Sequence, residues 1–141
     1  MITIEDLEAM GFQYYSNTGE RTKILNMSPL DMVKEYAQVT AQNPTQSLYA
    51  SLIEEEYEEW KKEYWGDYSE FENELKELAD MVYVIYGYAN SRGWNLDEAV
   101  RRVHTNNVGR CVQPDGSIKR RGDGKILKNK EYPTLDLSDL V

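Results

Sequence analysis

The chain is poor in the residues that most often build catalytic and metal sites. Its 141 residues include one cysteine, Cys111, and one histidine, His104. A lone cysteine excludes an intramolecular disulfide. One histidine and one cysteine together exclude a Cys/His zinc site. Cys111 has no acid or base beside it in the sequence and reads as inert. Basic residues are also scarce: 16 Lys and Arg stand against 25 Asp and Glu, for a formal net charge of −9 and a pI of about 4.7. Duplex nucleic acid needs a basic face, so no duplex partner is expected. No apolar run approaches the ~20 residues of a membrane span. The opening MITIEDLEAM has neither the basic nor the apolar region of a signal peptide. No membrane partner is expected, and the expected location is cytoplasmic. Internal repeats and low-complexity segments are absent.

What remains is acid. With thiols and imidazoles so few, a metal must be held by carboxylates, which favours Mg²⁺ with Mn²⁺ as a substitute. A net negative chain suits a divalent cation that in turn recruits an anionic substrate. Hydrophobic residues make up 40 % and charged residues 29 %, ordinary values for one folded domain.

The pattern along the chain is mainly helical. Residues 1–28 form an N-terminal extension in which FQYYSNTGERTKIL, alternating around SNTGE, reads as a small hairpin. The domain proper is 29–141. Ser28 is the expected N-cap of a first helix, with Pro29 at its first position and Asp31 near the partner position of the cap. Leu30, Val33, Ala37 and Thr40 form its stripe, and QNP ends it. A second helix is expected over about 45–65, stopped by Gly66. SEFE at 69–72 reads as a capping box opening a third helix that runs to about Ser91, with Gly93 as the stop. NLDE, with Asn95 as N-cap and Glu98 three residues on, opens a fourth from Leu96 to about Asn106. The remainder changes character. Residues 111–130 carry Pro-Asp-Gly and Asp-Gly turn signals and a local excess of Lys and Arg, and read as a short β-hairpin or ordered loop.

The third helix is apolar on most sides, through Leu75, Leu78, Ala79, Met81, Val82, Val84 and Ile85. Such a helix must be buried all round. Four helices in one small chain hardly cover it, so the bundle is expected to be completed by a homodimer or a dimer of dimers. Gly87, in mid-helix, reads as a point of close helix approach. On the same helix, packing is the expected role of Tyr83 and Tyr86, with a base-stacking wall as the functional alternative.

The second helix carries SLIEEEYEEWKKEYW. At about 100° per residue, Leu52, Glu55, Glu56, Glu59 and Glu63 fall on one third of the circumference, with Leu48 and Tyr49. Glu54 and Glu58 point elsewhere, near Lys61 and Lys62, and are expected to be solvated. On the third helix Glu77 and Asp80, neighbours at i and i+3, sit on the side of Met81, Val84 and Tyr88. If the two helices pack antiparallel, four or five carboxylates converge. Unneutralised, that cluster is strongly unfavourable. With Mg²⁺ it becomes a site of oxygen ligands, suited to a phosphoryl displacement. The bland alternative for EEEYEE alone is a solvated acidic face.

LIEEEYEEW followed by ELADMVYVIYGYA resembles the E-E-x-x-E … E-x-x-D signature of the all-α NTP pyrophosphatases, the MazG-like group. RVHTNNVGRCVQPDGSIKRRGDGKILKNKEYPTLDL is similar to the tail of the phosphoribosyl-ATP pyrophosphohydrolase-like branch, with its Asp-Gly turns. The resemblance spans about Leu30 to Leu137. It implies an all-α, four-helix MazG-like bundle and a hydrolase cleaving a (d)NTP between its α and β phosphates, giving (d)NMP and pyrophosphate. It implies Glu56, Glu59, Glu77 and Asp80 as metal ligands and Glu55 as the residue that orients or deprotonates water. Asn107, Arg110, Lys125 and Lys128 are the implied substrate contacts, and His104 and Tyr83 are further candidates. Where the branch carries Ser-Asn-Met-Ser-Lys, this chain carries Asn106-Asn107-Val108-Gly109-Arg110: the serines are lost, while Arg110 keeps the charge. Two rival functions stand beside the leading one. The first is phosphoribosyl-ATP hydrolysis in histidine biosynthesis. The second is a non-catalytic helical dimer that binds a partner.

Overall fold

The computed structural model describes residues 5, 9, 25–41, 45–66 and 70–141. The expected N-terminal hairpin, the QNP helix end and the first residue of the SEFE capping box lie outside these. Among the described residues there are four α-helices: α1 (Pro29–Thr40), α2 (Gln46–Trp65), α3 (Phe71–Arg92) and α4 (Leu96–Arg110). A two-stranded antiparallel hairpin follows, β1 (Lys119–Arg120) with β2 (Ile126–Leu127), and a 3-10 turn at Ser138–Leu140. The all-α architecture with a short C-terminal hairpin is thus the one the sequence predicts. The chain divides into two compact units, Met1–Arg92 and Gly93–Val141.

In the first unit, local chemistry starts α1 where expected. The Asp31 amide donates to Ser28 Oγ at 3.2 Å, and the Ser28 amide donates to Asp31 Oδ2 at 3.3 Å. Orphan donors at the helix start are thereby satisfied reciprocally. Thr45 caps α2 by accepting from the Leu48 amide at 3.2 Å. α3 ends at Gly93, whose φ of 74° is a left-handed value that any side chain would strain.

α3 packs against both α1 and α2. Tyr49, early in α2, meets Gly87, late in α3, while Glu56 and Glu59 meet Glu77 further back along α3. The α2–α3 pair is therefore antiparallel. A Cβ on Gly87 would overlap the Tyr49 ring, coming within 2.9 Å of Cζ. The expectation that this glycine permits close approach is met.

Among the described residues few side chains are fully buried: Leu30, Val33, Tyr86 and Ala89 are the buried hydrophobic ones, and α2 buries none completely. Leu75, Val82 and Ile85 of α3 stay exposed, Leu75 at 67 %. The helix that is apolar all round is thus covered only in part by its own described chain.

In the second unit, Asn95 caps α4 by accepting from the Glu98 amide at 3.1 Å. The helix runs four residues beyond the expected Asn106 end. Asn and Gly are weak helix formers, but neighbouring segments hold the extension. The Asn129 amide donates to the Arg110 carbonyl at 2.7 Å, and Tyr132 lies over Gly109 so closely that a Cβ there would overlap its ring. Arg102 forms a two-pronged pair with Asp139, with Nη2 to Oδ2 at 2.9 Å. In the hairpin, Lys119 pairs with Leu127 and Arg120 with Ile126. Its turn closes at Gly124, with φ of 90° and an amide bonded to the Arg121 carbonyl at 2.8 Å.

Candidate metal centre

The acids of α2 separate as the helical wheel predicts, with one exception. Glu54 is exposed, and exposed Glu58 lies 3.6 Å from Lys61. Glu56 and Glu59 are half-buried and turn toward α3. Glu55 does not follow them; it is exposed. It lies a full 100° from Glu56 on the helix, at the flank of the stripe, so an inward-facing Glu56 leaves it outside. Glu63 is half-buried and takes no part in the cluster.

Among the described residues, Glu56, Glu59 and Glu77 each offer one carboxylate oxygen, and these oxygens lie within 4.8 Å of one another. Oε2 of Glu56 and Oε2 of Glu77 are buried without a hydrogen-bond partner. Buried carboxylate oxygens are rarely left so, because each then forgoes its hydration. Burial pushes the Glu56 carboxyl up from 4.5 to about 7, and the charges of Glu59, Asp80 and Glu77 push the same way. In the absence of a cation, protonation of Glu56 relieves part of the repulsion. Orphaned oxygens and an all-oxygen donor set fit a hard divalent cation.

Asp80 is half-buried beside this cluster and raises the Glu56 pKa, but its carboxylate turns to Lys76, with Nζ to Oδ2 at 2.6 Å. The same ammonium lies 3.7 Å from Glu77 Oε1. Asp80 therefore adjoins the three glutamates, with its free partner already chosen. Lys76 was not anticipated from the sequence, although its i, i+4 spacing to Asp80 is the signal for such a pair. Its own pKa is raised, first by the hydrogen bond to Asp80.

The expected substrate contacts divide between the units. Tyr83 belongs to the first, edge-on to Tyr36 with centroids 5.8 Å apart. Both line a cleft of about 180 Å³ with Leu48, Tyr49, Leu52 and Val84. Leu52 and Val84 are each one helical turn from an acid, Glu56 and Asp80. Burial raises the Tyr83 phenol above its usual range. In the second unit, Lys128 Nζ donates to Asn107 Oδ1 at 2.8 Å, and Lys128 and Arg110 line one cleft. Lys125 is not part of that lining; its amide donates to Asp123 in the hairpin turn. His104 is exposed on α4 and lines none of the clefts described here. The Cys111 thiol donates to the Val108 carbonyl at 2.9 Å, as befits an inert cysteine.

A helical bundle that gathers glutamates from two antiparallel helices has the architecture of the all-α, MazG-like NTP pyrophosphatase superfamily. The family model described as phosphoribosyl-ATP pyrophosphohydrolase matches residues 31–107, more than half of the chain, and the chain belongs to that family. The matched span includes all of α2 and α3 and so every acid of the cluster. No curated protein matches the chain significantly. Membership makes it a pyrophosphohydrolase of a family that typically uses a divalent metal. No helix among the described residues is long and apolar enough to cross a membrane.

Proposed function

We propose that the chain is a Mg²⁺-dependent nucleoside triphosphate pyrophosphohydrolase, releasing pyrophosphate and a (deoxy)nucleoside monophosphate. The observation that carries this reading is the Glu56–Glu59–Glu77 cluster with its two orphaned, buried oxygens. Glu56, Glu59 and Glu77 would hold the cation, and Asp80 would join them on releasing Lys76. When bound, the ion supplies charge neutralisation at the phosphate oxygens and polarises the α-phosphorus. Exposed Glu55, next to the cluster in sequence, is assigned the attacking water, which it orients and deprotonates as a general base. The water oxygen would bond to the α-phosphorus as the bond from that phosphorus to the α–β bridging oxygen breaks; pyrophosphate leaves with the electron pair of that bond, and Glu55 returns the water's proton to solvent.

A second reading, hydrolysis of phosphoribosyl-ATP, is favoured by the description of the matching family. It uses the same bond and the same acids. A panel of dNTPs, NTPs and phosphoribosyl-ATP, assayed for pyrophosphate with Mg²⁺, separates the two by relative kcat/KM. Turnover of none of them overturns both.

The same proposal makes the working form a homodimer. The exposed Leu75, Val82 and Ile85 on α3 support it, since a second copy would remove that apolar surface from water. Light scattering should give twice the chain mass of 16.4 kDa, or four times for a dimer of dimers. A monomer at assay concentration contradicts it.

A further inference from the structure

The cleft that holds Arg110 and Lys128 has a volume of about 530 Å³ and lies wholly within the second unit. Lys119 and Lys130 also line it, with Leu127 and Pro114 as apolar wall and Glu131 as an acidic member. Four cations thus face one space in a chain whose net charge is −9. Two of them are fixed. Arg110 ends α4, where its carbonyl is tied to the Asn129 amide at 2.7 Å, and its Nε is buried without a hydrogen-bond partner. Lys128 is aimed by its 2.8 Å bond to Asn107 Oδ1, which leaves further ammonium protons unspent. A buried guanidinium nitrogen with no acceptor is as anomalous as the orphaned oxygens of the first unit, and of opposite sign.

We propose that this cleft is a binding site for a small phosphate-bearing anion, with Arg110 as its forked donor and Lys119, Lys128 and Lys130 as its surrounding charge. Arginine matches a phosphate with two parallel N–H donors, whereas lysine acts as a point charge. The volume falls within the range of small-molecule sites and admits either a free diphosphate or a phosphorylated sugar. The site goes beyond the substrate contacts expected from sequence: it adds Lys119 and Lys130 and omits Lys125. It stands on the cleft alone and does not depend on which nucleotide the acid cluster hydrolyses.

The test is a calorimetric titration of the full chain with pyrophosphate and, separately, ribose 5-phosphate. EDTA is present throughout, so the acid cluster contributes no metal-bridged binding. Saturable binding of at least one is expected, weakening as salt rises. Arg110→Gln and Lys119→Met should each weaken it about tenfold, as loss of one charge-assisted contact does, and Lys34→Met, at an exposed position on α1, should leave it unchanged. Tighter binding of pyrophosphate identifies a leaving-group-like ligand, and tighter ribose 5-phosphate a phosphomonoester; either supports the site. Lys119 is an exposed strand residue, so its variant reports on the cleft even if Arg110→Gln folds poorly. Absence of saturable binding, or equal affinity in wild type and Lys119→Met, overturns the proposal. Loss of turnover in an acid-cluster variant with anion binding intact would leave this site standing, so the two readings fail separately.

Discussion

The two compact units solve opposite electrostatic problems with the same kind of helix. In the first, α2 and α3 bring carboxylates together until buried oxygens lack donors. In the second, α4 and the hairpin segment bring cations together until a buried guanidinium nitrogen lacks an acceptor. Each also seats a tyrosine ring over a helical glycine, Tyr49 over Gly87 and Tyr132 over Gly109. The difference lies in how each cluster is quieted. Lys76 partly neutralises the acids at 2.6 Å from Asp80, and raised basicity lets Glu56 take up a proton. A guanidinium has no such recourse, since it stays charged at any physiological pH. The acidic cluster can therefore relieve its own repulsion more readily than the basic cleft can.

The largest expected effect breaks the first unit alone. Glu59→Gln or Glu56→Gln should lower turnover by about 100-fold or more, while leaving anion binding at the Arg110 cleft unaltered. A fully active Glu56→Gln, Glu59→Gln double variant would refute the metal assignment. Next, saturating Mg²⁺ at 100 times its Kd should raise stability by about 2.7 kcal/mol. Hydrogen exchange should slow in α2 and α3 more than in the hairpin; uniform slowing would erase the distinction between units.

The two glycines sharpen the comparison further. Gly87→Ala should cost about 2 kcal/mol, because the alanine methyl meets a ring held between packed helices. Gly109→Ala should cost less, about 1 kcal/mol, because Tyr132 sits in a connecting segment that yields more easily. Thermal melts that rank them in the opposite order would show the second unit to be the stiffer. A further effect concerns protons. Glu56 titrates near 7 when folded against 4.5 ordinarily, so its contribution favours the fold below the lower value and is lost as pH rises through about 7. The metal-free melting temperature should fall between about pH 5 and pH 8, and Mg²⁺ should bind more tightly over the same rise because it competes with that proton. A flat profile in both measurements would remove Glu56 from the cluster.

Much of this was legible in the sequence because periodic and local signals decide it. Ser28, Pro29 and Asp31 mark a helix start through bonds spanning three residues, and the structure forms them all. The inward turn of Glu56 and Glu59 follows from the wheel. What failed to show was settled at longer range. The extension of α4 past Asn106 depends on Asn129 and Tyr132, some 20 residues away. The exposure of Glu55 depends on which edge of a broad stripe meets α3. Lys76 reads as an ordinary surface lysine until Asp80 and Glu77 are seen converging on it.

The contact between Tyr49 and Gly87 has a consequence well away from itself. Ten residues separate Gly87 from Glu77 on α3, about 15 Å of helix. Helices are stiff over that span, so the ring against the bare backbone acts as a fulcrum for the pair. The gap between acids on opposite helices is then gauged by how deeply one aromatic ring sinks at the other end. A methyl group at position 87 would pry the helices apart and widen the gap between Glu56, Glu59 and Glu77 without altering any of the three acids.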